Sequence, residues 1–258
     1  MFLKSVKLWE NTPGTYEQAP TLDIYVPARK ITKTAVVIFP GGGYNHLCVH
    51  EGAGYADFFT AHGITAIVCQ YRVAPHQFPL PLLDARRAMR YVRAHCEELG
   101  IDRDDIYIMG SSAGGHLAAL TATYHAPIDF EGMDEIDKED YRPNGQILCY
   151  PVISLLDEAI AHPGSGNCLL GDRKNELGDA LSPNLIADET TPRAFIWHTF
   201  DDGSVNVINT LEYAKRLKQV GVNTEVHVYP HGRHGLNLAS ELPHVRNWSR
   251  DLLEWLEL

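Results

Sequence analysis

The apolar residues of this chain fall into two patterns that take turns along it. One is a short run that is apolar at nearly every position: 35–39 (Ala-Val-Val-Ile-Phe), 64–69, 106–109, 147–150 and 194–197. Such runs fit strands covered on both faces, because a strand with one wet face would alternate. The other is a longer stretch with apolar residues every three or four positions, the spacing of a buried helical stripe. Leu82, Ala85, Met89, Val92, Cys96 and Leu99 form one such stripe before Gly100. Ile208, Leu211, Ala214 and Leu217 form a second before Gly221, and Val245, Trp248, Leu252 and Trp255 a third. Further helices are predicted over 53–61 and 116–123. Residues 21–26 alternate, with Leu22, Ile24 and Val26 set against Thr21, Asp23 and Tyr25, which predicts an antiparallel edge strand. A weaker strand near 5–8 precedes it, and 224–229 closes the series. Strands and helices in alternation predict one α/β domain over 1–258, with a mainly parallel central sheet of about eight strands flanked by helices.

Three stretches carry a different signal. Residues 151–183 are rich in Pro, Gly and Asn with little periodicity, as expected of a small lid or substrate wall. Residues 128–141 hold seven acidic residues against the single Lys138, and read as a solvated loop bordering the active-site mouth. They lack the ligand spacing and central glycine of a calcium loop. Arg86, Arg87, Arg90 and Arg93 lie off the apolar stripe of the 82–99 helix, as a solvated face would.

Charge and cysteines narrow the function classes. The 258 residues carry a formal net charge of −11, and no basic cluster offers a surface to a nucleic-acid backbone. Five cysteines without framework spacing suggest a reducing compartment, with Cys69 and Cys149 packed as small hydrophobes. No apolar run is long enough to span a bilayer and the first residues form no signal-type apolar core, so a cytoplasmic protein without a membrane partner is expected.

The chemistry is concentrated at Gly110-Ser111-Ser112-Ala113-Gly114, a match to G-x-S-x-G between a predicted strand and a predicted helix. That is the setting of a nucleophile elbow, in which Ser112 holds a strained backbone with its hydroxyl exposed and the helix start offers free N–H groups. A phosphate-binding glycine loop is the alternative on these five residues alone. A serine hydroxyl needs a histidine base and a carboxylate to orient it. The two predicted strands downstream run into 198–205, with Asp201 and Asp202, and into 230–235, with His231 and His234. Ser, Asp, His is the α/β-hydrolase order. Upstream, the strand 35–39 ends in Pro40-Gly41-Gly42-Gly43-Tyr44, glycines that let N–H groups approach a ligand closely. A metal reading of His227, His231 and His234, or of His46 and His50, lacks a carboxylate or cysteine at ligand spacing, so no metal or other cofactor is expected. His116 reads as a packed or hydrogen-bonded helix residue.

These motifs, with Asp84-Ala85, Ser182-Pro183, His198-Thr199 and Gly232-Arg233-His234-Gly235, give the chain a resemblance to the α/β-hydrolase esterases related to hormone-sensitive lipase and to bacterial acetyl and acetyl-xylan esterases. The resemblance spans nearly the whole length, with Pro40 where lipases and esterases usually carry histidine before the glycines. It implies Ser112 as nucleophile, His234 as general base, an aspartate as orienter, and oxyanion N–H groups from Gly42, Gly43 and Ala113. The related pattern, framed here by His198 and Val205, puts the acid at Asp202 rather than Asp201. The expected function is a serine carboxylesterase acting on short-chain acyl esters, acetyl above all, of sugars or other small alcohols, with a homo-oligomer as one expected state of the chain. The loops 1–20 and 151–183 would shape its alcohol site. The alternatives are a prolyl-oligopeptidase-like peptidase, for whose gating domain the chain has no room, and a hydrolase-fold binding protein, which usually lacks a triad member.

Overall fold

The computed structural model describes residues 1–14 and 19–258; residues 15–18, part of the 1–20 loop expected to shape the substrate site, lie outside the described residues. The strands are β1 (Phe2–Lys7), β2 (Thr21–Tyr25), β3 (Ala35–Phe39), β4 (Thr65–Gln70), β5 (Ile106–Ser111), β6 (Gly145–Cys149), β7 (Arg193–Thr199) and β8 (Thr224–Tyr229). They form one sheet in the order β1-β2-β4-β3-β5-β6-β7-β8. β1 and β2 run antiparallel to their neighbours and every other pairing is parallel. The alternating strand β2 is therefore antiparallel as its pattern suggests, but β1 takes the edge. The helices are α1 (Val49–Ala61), α2 (Leu80–Ala94), α3 (Cys96–Leu99), α4 (Ala113–Thr123), α5 (Pro163–Leu170), α6 (Lys174–Leu177), α7 (Pro183–Ile186), α8 (Ile208–Gln219) and α9 (Trp248–Trp255).

The continuous apolar runs are explained by a core on each face of the sheet. Val37, Phe39, Ile67, Ile108, Leu148 and Ile196 pack with α2, α4 and α8. Their neighbours Val36, Ile38, Val68, Met109, Ile147 and Trp197 pack with α1 and α9 on the other face. No helix among the described residues is long and apolar enough to cross a membrane.

Two helix faces differ from their sequence reading. The arginines of α2 do not form a solvated face: Arg86, Arg87 and Arg93 are buried. Arg87, with its side chain 1% exposed, meets Asp134 at 2.6 Å and the fully buried Asp137 at 2.8 Å. Its guanidinium also lies 4.9 Å from the Trp9 ring centre. Arg86 donates to the carbonyls of Tyr124 and Ala126, and Arg93 to those of Asp140 and Arg142. The acidic stretch 128–141 is thus a strap closed over α2 rather than a loop at the mouth, and none of its residues lines the cavity that contains Ser112. A helical wheel could not show this, because the partner of each arginine is roughly 40 to 50 residues away along the chain. In α8 the buried residues are Asn209, Thr210, Tyr213 and Leu217, whereas Ile208 and Leu211 are exposed. The buried face is turned by one position because Asn209 Oδ1 accepts from the backbone N–H groups of Ile153 and Ser154 and its amide donates to Ile160 O. Those obligatory backbone partners outweigh the exposure of two aliphatic side chains.

His116, one turn into α4, is fully buried and hydrogen-bonded as expected. Its Nε2–H donates to Leu181 O at 2.9 Å and its Nδ1 accepts from the Tyr44 hydroxyl at 2.8 Å. This neutral ring ties α4 to the glycine loop at one end and to the segment before α7 at the other. Burial pushes its pKa down from 6.5 to about 4, so between those values the unfolded chain holds a proton that the folded one does not.

Two outcomes follow for stability. Arg87→Ala leaves the buried Asp137 with only the longer 3.5 Å contact to Arg90 and should cost about 3 kcal/mol, read from urea unfolding. A loss under about 1 kcal/mol would mean that the strap is solvated after all. For His116 the sign is a loss of stability as pH falls through the window from 6.5 towards 4. Measured by urea unfolding at neutral pH and near the lower end of that window, His116→Gln should lose about 2 kcal/mol less than the parent over the interval. Equal losses would place the acid sensitivity elsewhere.

Candidate active site

β5 delivers Ser112 and α4 begins one residue later, so the serine occupies the turn between them. Its backbone is left-handed in φ, at φ 54° and ψ −120°, a conformation that L-residues hold only when neighbours impose it. The neighbours are visible. A Cβ on Gly110 would stand 2.0 Å from Gly114 O, and one on Gly114 would stand 2.0 Å from Phe39 O. Ser112 N donates to Cys149 O at 3.0 Å, while Ser112 O accepts from His116 N at 3.1 Å and Val152 N at 3.0 Å. The turn is thereby fastened to β6 and to the chain leaving it.

The loops after β7 and β8 bring two further groups to the serine. His234 Nε2 lies 2.8 Å from Ser112 Oγ, and His234 Nδ1 lies 2.7 Å from Asp202 Oδ2. The carboxylate can only accept, so Nδ1 carries the proton and Nε2 presents a lone pair to the serine hydroxyl. Asp201 points elsewhere, accepting from His231 Nδ1 at 2.9 Å and from Gly232 N at 2.7 Å. Asp202 Oδ1 accepts from the N–H groups of Ser204 at 2.8 Å and Val205 at 3.0 Å. A second histidine reaches the same carboxylate: the fully buried His198 has Nε2 3.3 Å from Asp202 Oδ2 and 3.0 Å from Val205 O. Burial disfavours the charge of Asp202, but the hydrogen bonds of His198, His234 and Val205 outweigh it and hold the carboxyl far below the usual carboxylate range.

The glycine loop after β3 stands beside the serine. Gly42 has φ 126°, and a Cβ there would stand 2.1 Å from His46 O, so this turn admits glycine alone. Gly41 N donates to Glu51 Oε2 at 2.9 Å, whereas the N–H groups of Gly42 and Gly43 meet no acceptor among the described residues. Ala113, the first residue of α4, has no intrahelical acceptor for its own. These are the three N–H groups that the resemblance implied as oxyanion donors.

Two residues behind this loop had no signal in the sequence. Glu51 is buried in the first turn of α1, which starts four residues earlier than its pattern suggested, and Tyr150 follows β6. The Tyr150 hydroxyl donates to Glu51 Oε1 at 2.7 Å and accepts from Asn237 N at 3.0 Å. Its ring packs edge-on to His234 with centres 5.0 Å apart. The Tyr55 hydroxyl joins Tyr150 at 3.2 Å to Ser111 Oγ at 3.0 Å. One buried network thus connects the glycine loop, the elbow strand and the histidine loop.

Ser112 and His234 open into a cavity of about 500 Å³. Gly42, Gly43 and Glu51 line it on the side of the glycine loop, and His162, Gly164 and Cys168 contribute from the 151–183 segment, which is a wall of the site. A neighbouring cavity of about 550 Å³ shares Asn45 and His46 with it and contains none of Ser112, Asp202 and His234.

The comparisons with known proteins point one way. An acetylxylan esterase of Xylanibacter ruminicola is 31% identical over 229 residues, covering 86% of this chain and 45% of that protein. Endo-1,4-beta-xylanase B of Butyrivibrio fibrisolvens is 31% identical over 243 residues, covering 91% of this chain and 38% of that protein. The chain therefore spans less than half the length of these two relatives. The crystal structure of an acetyl ester-xyloside bifunctional hydrolase from Caldicellulosiruptor lactoaceticus superposes with a TM-score of 0.91 at 40% identity, covering 98% of this chain and 95% of that one. The fold is that of the α/β-hydrolases. The profile of the BD-FAE family matches residues 22–217, and the chain belongs to that family.

Proposed function

We propose that the protein is a serine carboxylesterase that removes short acyl groups, acetyl above all, from esters of sugars or other small alcohols. The observation that carries the reading is the unbroken chain of hydrogen bonds Asp202–His234–Ser112, at 2.7 and 2.8 Å, opening into a cavity beside backbone N–H groups that meet no acceptor among the described residues. The relatives named as acetylxylan esterase and as acetyl ester-xyloside hydrolase support the acetylated-sugar part.

The geometry supports the following steps. His234 Nε2 takes the proton of Ser112 Oγ as that oxygen attacks the ester carbonyl carbon, and Asp202 stabilises the resulting imidazolium. The carbonyl oxygen becomes an oxyanion, received by the N–H groups of Gly42, Gly43 and Ala113, each donor worth on the order of 10² to 10³ in rate. The tetrahedral intermediate collapses, the alkoxy oxygen leaves with the proton from His234, and Ser112 holds the acyl group. Water then repeats the sequence with His234 as base, releasing the acid and restoring the serine. Asp202 serves because it stays charged across the acid range, a consequence of its saturated hydrogen bonding.

Two experiments test this. The parent should cleave aryl acetates and propionates with higher kcat/KM than octanoates, and Ser112→Ala should lower the turnover by at least about three orders of magnitude while keeping stability within about 1 kcal/mol. Retained turnover or an octanoate preference would sink the assignment. Asp202→Asn should lose at least about two orders of magnitude in kcat, since the neutral amide misplaces the imidazole and its tautomer, whereas Asp201→Asn should lose less than about one. The reverse ranking would transfer the role to Asp201.

A further inference from the structure

We propose that His162 is the residue that recognises the alcohol half of the substrate, its Nε2–H donating to a hydroxyl or ring oxygen of a polyol. The inference rests on the esterase reading above and adds the group that makes the site selective for a sugar.

His162 caps the N-terminus of α5. Its Nδ1 accepts from Ser165 N at 3.2 Å and lies 2.9 Å from Ser165 Oγ. A backbone N–H can only donate, so Nδ1 carries the lone pair and the neutral ring bears its proton on Nε2. That Nε2–H meets no partner among the described residues. The residue is half-buried and lines the same cavity as Ser112 and His234. Burial, reinforced by the nearby His234, pushes its pKa down, so the ring stays a neutral donor at neutral pH.

The catalytic groups leave this donor nothing to do. Both nitrogens of His234 are occupied, and Asp202 already receives bonds from His234, His198, Ser204 N and Val205 N. An acetyl ester has few acceptors. Its carbonyl oxygen belongs to the N–H groups of the glycine loop and elbow, its methyl accepts nothing, and its alkoxy oxygen receives the proton from His234. A further fixed donor in the cavity therefore matches acceptors on the alcohol half, and a simple hydrocarbon alcohol has none. Gly164, two residues on, also lines the cavity and adds no side chain to the wall beside His162.

A reciprocal pair of variants separates the two nitrogens. His162→Asn places an acceptor near Nδ1 and keeps the helix cap but has no group at Nε2; His162→Gln places an amide near Nε2 and loses the cap. The probes are a monoacetylated methyl xyloside and cyclohexyl acetate, a ring of the same size without hydroxyls. In the parent, kcat/KM should favour the sugar ester. His162→Asn should lower that preference about five- to tenfold, the value of one neutral hydrogen bond, mostly through KM. His162→Gln should keep it within about twofold. If the preference survives in His162→Asn, or if His162→Gln loses as much, the inference is overturned while the esterase reading stands. A parent that cleaves cyclohexyl acetate but shows no preference for the sugar ester overturns the sugar reading and the inference with it.

Discussion

The tightest constraint in the molecule is the contact of the start of α4 with the ends of β3 and β5. The backbone of Gly114 lies against Phe39 O, and Gly110 lies against the Gly114 carbonyl, at separations that no side chain would permit. Because of this contact Ser112 cannot sit in an ordinary strand or helix conformation, and it takes the left-handed φ observed. The strain, on the order of 1–3 kcal/mol, is offset by the three backbone hydrogen bonds of Ser112 and by a helix buried at every position. The same contact sets the glycine loop after β3 beside the serine. Ser112 and the glycine-loop N–H groups are neighbours because two strands and a helix are packed closer than side chains allow.

Around that point the buried charges are paired. Glu51, Tyr150 and Tyr55 connect the glycine loop to the elbow strand and to the histidine loop. Asp84, fully buried, accepts from Arg72 Nη2 at 2.6 Å, Arg72 Nε at 2.7 Å and Trp9 Nε1 at 2.8 Å, fastening α2 to the segment after β4 and to the N-terminal segment. Arg87 does the same for the acidic strap. Each of these charges would be costly alone in the interior, and each is surrounded by partners drawn from distant parts of the chain. The networks therefore fix where the loops sit, which is what catalysis by positioned groups requires.

Chemistry and selectivity are divided between parts of the fold. Ser112 stands on the turn after β5, and Asp202 and His234 stand on the loops after β7 and β8. The wall formed by His162, Gly164 and Cys168 comes from the irregular stretch between β6 and β7. Under the proposed esterase reading, this division lets the alcohol half of a substrate be set by one short segment without disturbing the Ser112–His234–Asp202 contacts.

The sequence by itself determined the alternation of strands and helices, the strand-to-helix turn at Ser112, the order Ser, Asp, His, and even which aspartate would meet His234. Those features are encoded locally: an apolar run needs two covered faces, and a glycine on each side of Ser112 permits the close approach. It did not determine that Arg86, Arg87 and Arg93 would be buried, that α8 would bury Asn209 in place of Ile208 and Leu211, or that Glu51 and Tyr150 would stand behind the site. Only the tertiary structure decided these, because each depends on a buried charge or backbone group finding a partner from a remote segment. Hydrophobic periodicity reports which residues leave water, but it does not record which polar groups follow them inside when a partner is waiting.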